Sequence, residues 1–243
     1  MKLDILAFGA HPDDVELGCA GTLSKSITQG KKVGIVDLTQ GEMGTRGTPQ
    51  LRLEEAQKAA ELLGVAVREN LGFRDAFFVN DEIHQRQVIQ KIRAYQPEIV
   101  LCNAYTDRHI DHGKGSTLVR EACFLSGLVK VVTQNDQGAD QAAWRPKLVL
   151  EYIQWEEITP DIVLDISGHL EQKIRVVKAY SSQFYNPDSQ EKETPISSSN
   201  FLESIHYRAR NLGRLIGTEA GEGFTSQQTL GVGNLFSLLS VTS

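Results

Sequence analysis

The sequence predicts an α/β protein with a doubly wound, mostly parallel sheet and helices on both faces. Through the first half of the chain, short apolar runs alternate with segments of helical period, an order typical of repeated strand–helix–strand units. The apolar runs lack alternating polar residues, which favours strands that are covered on both faces. We therefore expect a Rossmann-like arrangement of parallel strands and crossover helices.

The predicted elements follow this order along the chain. In the first half, the strands fall at 3–8, 33–38, 65–71 and 98–103, and the helices end near 30, 63, 95 and 128. The second half is less regular, with strands predicted at 148–153 and 162–166 and helices at 170–180 and 202–216. Because no repeat or linker divides the chain, we expect one domain over residues 1–243.

Composition and charge limit the kinds of binding partner and the cellular compartment that we expect for this chain. The chain has 25 basic and 31 acidic residues, a net charge of −6 that argues against nucleic acid or an anionic membrane as the main partner. It has no apolar run of about 18 residues and no signal-peptide pattern, so we expect a cytoplasmic protein. Cys19, Cys102 and Cys123 show no CxxC spacing, which favours reduced, buried thiols.

Two polar segments stand directly after predicted strands. GAHPDD ends at Asp14 and follows the first strand, and RHIDH ends at His112 and follows the fourth. In a doubly wound sheet, ligands bind beyond the carboxyl ends of the strands, where the strand order reverses. The usual order puts the first and fourth strands side by side at that point. We therefore expect both segments to face one crevice.

The residue types in these segments suit a metal site. Imidazole and carboxylate groups are common zinc ligands, and a catalytic zinc keeps three protein ligands and one open position. Pro12 restricts the turn that presents His11 and Asp14, so the turn should be stiff. Asp13 lies between these two residues and is placed to take a proton from the attacking water.

The second segment offers two histidines, His109 and His112, at a spacing of three residues. One of them can bind the metal while the other donates a proton or stabilises an oxyanion. Asp111 can hold one of the imidazoles in the required tautomer, as carboxylates around metal sites often do.

At these residues the sequence resembles the LmbE-like, or PIG-L, family of zinc-dependent de-N-acetylases. The resemblance covers essentially the whole chain and is strongest to the subgroup that deacetylates N-acetylglucosaminyl-malate in bacillithiol biosynthesis. The matching stretches are HPDD at 11–14, GTRGT at 44–48, NLGFRD at 70–75, HIDH at 109–112 and KAYSSQF at 178–184.

The resemblance implies a role for each candidate residue and one zinc ion per chain. It also implies a small sugar-conjugate substrate and a homo-oligomer. The implied roles are zinc ligands for His11, Asp14 and His112, general base for Asp13, general acid or oxyanion stabiliser for His109, and contacts to the sugar conjugate and its malate carboxylates for Arg52 and Arg108.

Several alternatives stay open at the level of sequence. Arg52 is three residues from Glu55 on a predicted helix, so a plain surface ion pair is a competing interpretation. The substrate could be a chito-oligosaccharide or another acetylglucosaminyl conjugate, and the native metal could be iron or cobalt. A non-catalytic module that binds a metal or a sugar nucleotide is the alternative of a different class. Residues 186–200 fit a surface excursion or a lid.

Overall fold

A seven-stranded mixed sheet forms the centre of the protein in a computed structural model that describes residues 1–239. Its strands are β1 Ile5–Gly9, β2 Val33–Thr39, β3 Val67–Phe73, β4 Ile99–Asn103, β5 Leu148–Tyr152, β6 Ile162–Asp165 and β7 Gly221–Thr225. The strand order is β3-β2-β1-β4-β5-β7-β6. The first five strands pair in parallel, and β7 runs antiparallel to both β5 and β6.

Helices cover both faces of this sheet, as the apolar runs predict. The helices are α1 Asp14–Thr28, α2 Pro49–Leu63, α3 Glu82–Tyr95, α4 Ile110–Ser126, α5 Leu170–Val177, α6 Ser199–Leu215 and a 3₁₀ turn at Leu235–Leu238. Strand β1 shows why its sequence has no polar alternation: Ile5 and Ala7 pack into one apolar cluster with α1, α2, α5 and α6, whereas Leu6 and Phe8 pack into another with α3 and α4. The predicted doubly wound fold is therefore confirmed.

Strand β7 is the element that the sequence pattern did not predict. Its sequence, GEGFT, contains two glycines and a single large apolar side chain, so it resembles a turn more than a strand. The structure explains the small residues, because α6 packs directly on the backbone before this strand. A Cβ atom added to Gly213 of α6 would lie 2.6 Å from the Ala220 backbone. Close packing against α6 therefore stabilises this part of the sheet in place of the large apolar side chains that the other strands contribute.

The strand order places two loops together at one edge of the sheet. β1 pairs with β2 on one side and with β4 on the other, and Ile5 lies opposite Ile99 in the β1–β4 register. The segments that follow β1 and β4 therefore start from adjacent strand ends, and α1 and α4 leave them on opposite faces. This is the reversal of strand order that the sequence analysis expected.

All three cysteines are buried and free. Within residues 1–239, no helix combines the length and apolarity that crossing a bilayer requires. The single domain expected from the sequence extends to residue 243, and its last four residues lie outside the described part of the chain.

Candidate active site

A cavity of about 300 Å³ lies where the loops after β1 and β4 meet. Both segments singled out in the sequence contribute to its wall, so the fold brings them together as predicted. Asp111 lies behind this wall, against His11. The candidate residues that line the cavity are His11, Asp13, Asp14, Arg52, Arg108, His109 and His112.

The loop after β1 is held in an unusual backbone conformation. Asp13 has φ of 122°, a region that side-chain-bearing residues rarely adopt and that costs on the order of 1–3 kcal/mol. Neighbouring elements fix the loop on both sides of this residue. Asn103 of β4 accepts a hydrogen bond from the Ala10 amide at 2.9 Å, and Arg52 of α2 donates to the Pro12 carbonyl at 2.6 Å. The surrounding fold therefore imposes the conformation that presents Asp13 to the cavity.

The Asp14 carboxylate lies between two imidazole rings. Its Oδ2 is 3.5 Å from His11 Nδ1, and its Oδ1 is 3.2 Å from His112 Nε2. The carboxylate also accepts hydrogen bonds from Asn103 Nδ2 at 3.0 Å and from Gln154 Nε2 at 2.7 Å. Both amide side chains hold Asp14 in place, so its position does not depend on the imidazoles alone.

The other nitrogen of each imidazole faces a carboxylate. His11 Nε2 donates to Asp75 Oδ1 at 3.0 Å and lies 3.5 Å from Asp111 Oδ2. His112 Nδ1 donates to Asp107 Oδ2 at 2.8 Å. Metal-binding histidines typically have such a carboxylate partner, which fixes the tautomer and leaves the opposite nitrogen free for the ion. The donor set of two imidazoles and one carboxylate therefore fits zinc.

Other combinations of ligand atoms also come close in this region. Among the described residues, ligand atoms lie within 4.8 Å of one another in two groups: His11, His109 and His112, and His11, Asp75 and Asp111. In the second group, Lys114 Nζ lies 3.1 Å from Asp111 Oδ1 and neutralises part of its charge. We therefore interpret Asp75 and Asp111 as partners that orient His11.

The electrostatics of the cluster favour a bound cation. Burial works against the charge on His112, but the Asp14 charge and hydrogen bonds with Asp107 and Asp14 raise its pKa to about 9. Burial likewise works against protonation of His11, and its carboxylate partners raise its pKa well above the usual value. Burial alone would raise the pKa of Asp14, yet the charge of His112 holds it well below its ordinary range. Such an acidic pocket stabilises positive charge.

Asp13 has the environment of a base. Its Oδ2 accepts a hydrogen bond from Arg52 Nη2 at 3.0 Å. Burial raises the pKa of Asp13 to about 7, although the positive charge of Arg52 opposes this shift. A carboxylate whose pKa is close to neutral can both take and return a proton at physiological pH.

His109 differs from the other two histidines because it caps a helix. Its Nδ1 accepts a hydrogen bond from the Asp111 amide at 3.3 Å, so the ring caps α4, which begins at Ile110. This contact places the hydrogen of a neutral ring on Nε2. Burial and the charges of His11 and His112 lower the pKa of His109 to about 4, so the ring is neutral at pH 7. His109 is therefore a hydrogen-bond donor beside the cavity.

The two candidate arginines have different surroundings. Arg52 is 5% exposed and donates to Asp13, Pro12 and Gly41, while its buried Nε has no partner among the described residues. The alternative of a surface ion pair between Arg52 and Glu55 is wrong, because Glu55 is also 5% exposed and accepts hydrogen bonds from Ser182 instead. Arg108 is exposed, and its guanidinium lies 4.7 Å from the centre of the Trp155 ring.

A segment at 186–198, which we call the strap, completes one wall of the cavity. It has no helix or strand of its own and leads into α6, which takes in the last two residues of the segment singled out at 186–200. Arg46 lies in the cavity wall and donates to Ser189 Oγ at 2.6 Å and to Glu191 Oε2 at 3.3 Å. Residues 194–196 line the cavity directly. The segment whose role the sequence left open is thus part of the site.

Sequence reasoning missed four residues that support the proposed ligands. Asp75 belongs to the NLGFRD stretch, and Asp107 immediately precedes the RHIDH segment, so one lay inside a segment already noticed and the other next to one. Gln154 follows β5, and Asn103 ends β4. The rule that sites form at the carboxyl ends of parallel strands would have drawn attention to these two positions.

Comparison with known proteins places the chain among sugar deacetylases. A family model described as GlcNAc-PI de-N-acetylase (PIG-L) matches residues 6–123. Diacetylchitobiose deacetylase of Thermococcus kodakarensis is 30% identical over 191 residues, which are 74% of this chain and 70% of that protein. A second relative, the 1D-myo-inositol 2-acetamido-2-deoxy-alpha-D-glucopyranoside deacetylase of Actinosynnema mirum, is 26% identical. The alignment covers 74% of this chain and 80% of that protein.

A solved structure extends the similarity to the whole fold. The conserved protein TT1542 of Thermus thermophilus superposes with a TM-score of 0.84 at 32% identity. The superposition covers 95% of this chain and 98% of that one. The similarity thus extends beyond residue 123, into the half of the chain that carries Gln154, Trp155 and the strap.

Proposed function

We propose, because this chain belongs to the PIG-L family of GlcNAc-PI de-N-acetylases, that it is a zinc-dependent N-deacetylase of an N-acetylglucosaminyl conjugate. The conjugate that we favour is N-acetyl-α-D-glucosaminyl-L-malate, which would yield glucosaminyl-malate and acetate. One observation carries the proposal: a buried carboxylate suited to act as a base, Asp13, lies in the same cavity as a set of zinc-type ligands.

His11, Asp14 and His112 would hold the ion. A zinc ion at this place supplies Lewis acidity towards a carbonyl oxygen and a water molecule. Asp75 and Asp107 keep the outward nitrogens of the two imidazoles occupied, at 3.0 and 2.8 Å, so the inward nitrogens stay available as ligand atoms. This arrangement accounts for carboxylates on both sides of each ring.

Asp13 serves as the general base. It takes a proton from the water whose oxygen forms the new bond to the acetyl carbon, and it passes that proton to the amide nitrogen as the carbon–nitrogen bond breaks. The products are acetate and a free amine, and Asp13 returns to its starting state. Arg52 holds Asp13 Oδ2 at 3.0 Å throughout, which limits the freedom of the base.

His109 acts on the carbonyl side of the reaction. Because its Nδ1 accepts a hydrogen bond from the helix backbone, Nε2 carries the hydrogen and donates. A fixed donor aimed at the oxygen where negative charge develops stabilises the transition state more than the ground state. Between the two roles considered for His109, the neutral ring favours oxyanion stabilisation over general acid catalysis.

The surroundings of Arg108 support an anionic conjugate. Arg108 presents an exposed guanidinium to the cavity, and a guanidinium fork binds carboxylates with two parallel hydrogen bonds. L-malate has two carboxylates, whereas a chito-oligosaccharide is neutral. The 30% identity to diacetylchitobiose deacetylase favours the chito-oligosaccharide as the second candidate substrate. The two candidates differ in charge, so they can be separated by experiment.

The test combines metal analysis with acetate release. Purified protein, loaded with zinc or stripped with a chelator, is incubated with the malate conjugate, free N-acetylglucosamine or diacetylchitobiose. We expect acetate release to require the metal and to be fastest with the malate conjugate. Equal rates on the malate conjugate and free N-acetylglucosamine would exclude malate recognition. Bound metal without acetate release from any of the three would favour the non-catalytic binding module.

A further inference from the structure

We propose that Trp155 is a positioning residue for substrate charge: its indole face holds the Arg108 guanidinium beside the cavity, where that guanidinium binds an anionic group of the aglycone. The inference rests on the proposed function, because it concerns the part of the conjugate that does not react. It adds a specificity-determining contact from the loop after β5, which belongs to neither of the two sequence motifs.

The charge of Arg108 is available for a ligand. Its guanidinium carbon lies 4.7 Å from the centre of the Trp155 ring, within the range of a cation–π contact. Among residues 1–239, no carboxylate oxygen comes within ion-pairing distance of this guanidinium. The adjacent acid, Asp107, is already engaged, since Oδ2 accepts from His112 and Oδ1 accepts from the Arg108 and Glu156 amides. Arg108 is thus a cation without an internal counterion.

A column of stacked aromatic rings connects Trp155 to the core of the protein. Its ring stacks on Phe201 of α6 at 5.2 Å and 19°, and Phe201 stacks on Phe184 at 6.1 Å and 7°. Phe184 is 1% exposed, so the aromatic column starts inside the protein. Arg208, also on α6, donates to the Trp155 carbonyl at 2.6 Å. Both the ring and the backbone of Trp155 are therefore held by the same helix.

This support matters because an exposed arginine loses rotamer freedom when it binds a ligand. A guanidinium that already lies on a fixed aromatic ring has lost part of that freedom before binding. A contact through the guanidinium carbon leaves the N–H groups at its edge free for a bidentate contact with a carboxylate. An exposed cation–π contact has a strength that corresponds to about two- to fivefold in affinity.

The loop after β5 also connects this contact with the catalytic centre. Gln154 donates to Asp14 at 2.7 Å, and the Glu156 amide donates to Asp107 at 3.1 Å. Gln154 therefore bonds to the proposed metal ligand Asp14. Glu156 bonds to Asp107, the residue that orients the proposed ligand His112. This fixes the distance between the bound anion and the reacting amide, as selection of a conjugate requires.

The test is a double-mutant cycle on substrate selectivity. kcat and KM are measured for Arg108→Ala, Trp155→Leu, Trp155→Phe and the Arg108→Ala/Trp155→Leu double variant, on the malate conjugate and on the uncharged methyl glycoside of N-acetylglucosamine. We expect Trp155→Leu to lower the selectivity for the conjugate about two- to fivefold through KM. Trp155→Phe should keep part of the selectivity that Trp155→Leu loses. The double variant should be no less selective than Arg108→Ala.

Two results would overturn the inference. One is an equal loss on both substrates in Trp155→Leu, which would mean that the indole contacts the sugar or only maintains the fold. The other is a loss of selectivity in the double variant that equals the product of the losses in the two single variants. Phe124→Leu is the matched control, because Arg145 lies 4.3 Å from the Phe124 ring in a comparable pair whose residues do not line the cavity. It should leave the selectivity unchanged.

A second measurement separates this inference from the proposed function. The chain has two tryptophans, so Trp144→Phe leaves Trp155 as the only indole fluorophore. Titration with L-malate should change its emission, and Arg108→Ala should abolish the change. If the enzyme releases no acetate but this signal is present, the proposed function is wrong, while the contact of Arg108 and Trp155 with an anion is supported. If the conjugate is deacetylated and malate gives no signal, the inference is wrong.

Discussion

Arg52 and Asp13 form a buried ion pair, with Nη2 and Oδ2 3.0 Å apart. The same guanidinium donates to the Pro12 carbonyl at 2.6 Å and to the Gly41 carbonyl at 3.2 Å. An arginine expected to bind substrate carboxylates therefore also connects α2, the loop after β2 and the loop that presents the base. The geometry of Asp13 depends on residues outside its own motif.

Replacing Asp13 tests the role of the base directly. Asp13→Asn keeps the size of the side chain but cannot accept a proton, so we expect kcat to fall by roughly 10²–10⁴-fold. The bound metal should stay at the wild-type level, as measured by elemental analysis. His11→Ala is the comparison variant and should lose both metal and activity. A fully active Asp13→Asn enzyme would contradict the mechanism.

Gly41 tests the support of the base. It has φ of +65°, and a Cβ atom there would lie 1.8 Å from Arg52 Nη1. Gly138 has φ of +77° with nothing within 4 Å of such an atom, so Gly138→Ala measures the backbone cost alone, about 1 kcal/mol. We expect Gly41→Ala to lower the free energy of unfolding by a further ~1–3 kcal/mol.

Gly41→Ala should also reduce turnover, because Arg52 must move away from Asp13. Urea unfolding and kcat measure the two effects. Equal losses of stability in the two alanine variants, with unchanged turnover, would show that Arg52 does not position the base.

Asp107 tests the carboxylates that orient the histidines. Its Oδ2 accepts from His112 Nδ1 at 2.8 Å, so Asp107→Asn should weaken zinc binding about 10–100-fold. Competition with a chromophoric chelator measures the affinity. Asp136→Asn, at an exposed loop position, is the control and should bind zinc like the wild type. Wild-type affinity in Asp107→Asn would show that the charge of Asp107 does not contribute to zinc binding through His112.

The strap offers a test of cavity closure. Arg46 is 5% exposed, whereas its partner Glu191 is 47% exposed at the side chain, so water weakens the pair. We expect Glu191→Gln to raise KM about two- to fivefold with little change in kcat, as loss of a partly exposed ion pair predicts. Glu193→Gln, two residues away and exposed, should have no effect on KM. The same KM in both variants would mean that the Arg46–Glu191 contact does not hold the strap.

The order of strands and helices could be predicted from the sequence. Strands that are buried on both faces are continuous apolar runs, and such runs can be recognised within a few residues. The run at Ile5–Gly9 has no polar alternation, and each of its residues is buried. β7 has no such pattern, because its first glycine, Gly221, packs closely on the α6 backbone. A pattern method detects apolar side chains, so it misses a strand stabilised by backbone contact.

The sequence by itself predicted that His11, Asp14 and His112 would meet, because motifs at the ends of adjacent parallel strands share one edge of the sheet. Only the tertiary structure decided what surrounds them. Asp75 contacts His11 across 64 positions, and Gln154 contacts Asp14 across 140. Such contacts depend on how the loops pack in three dimensions, and neither composition nor periodicity near these residues encodes that packing.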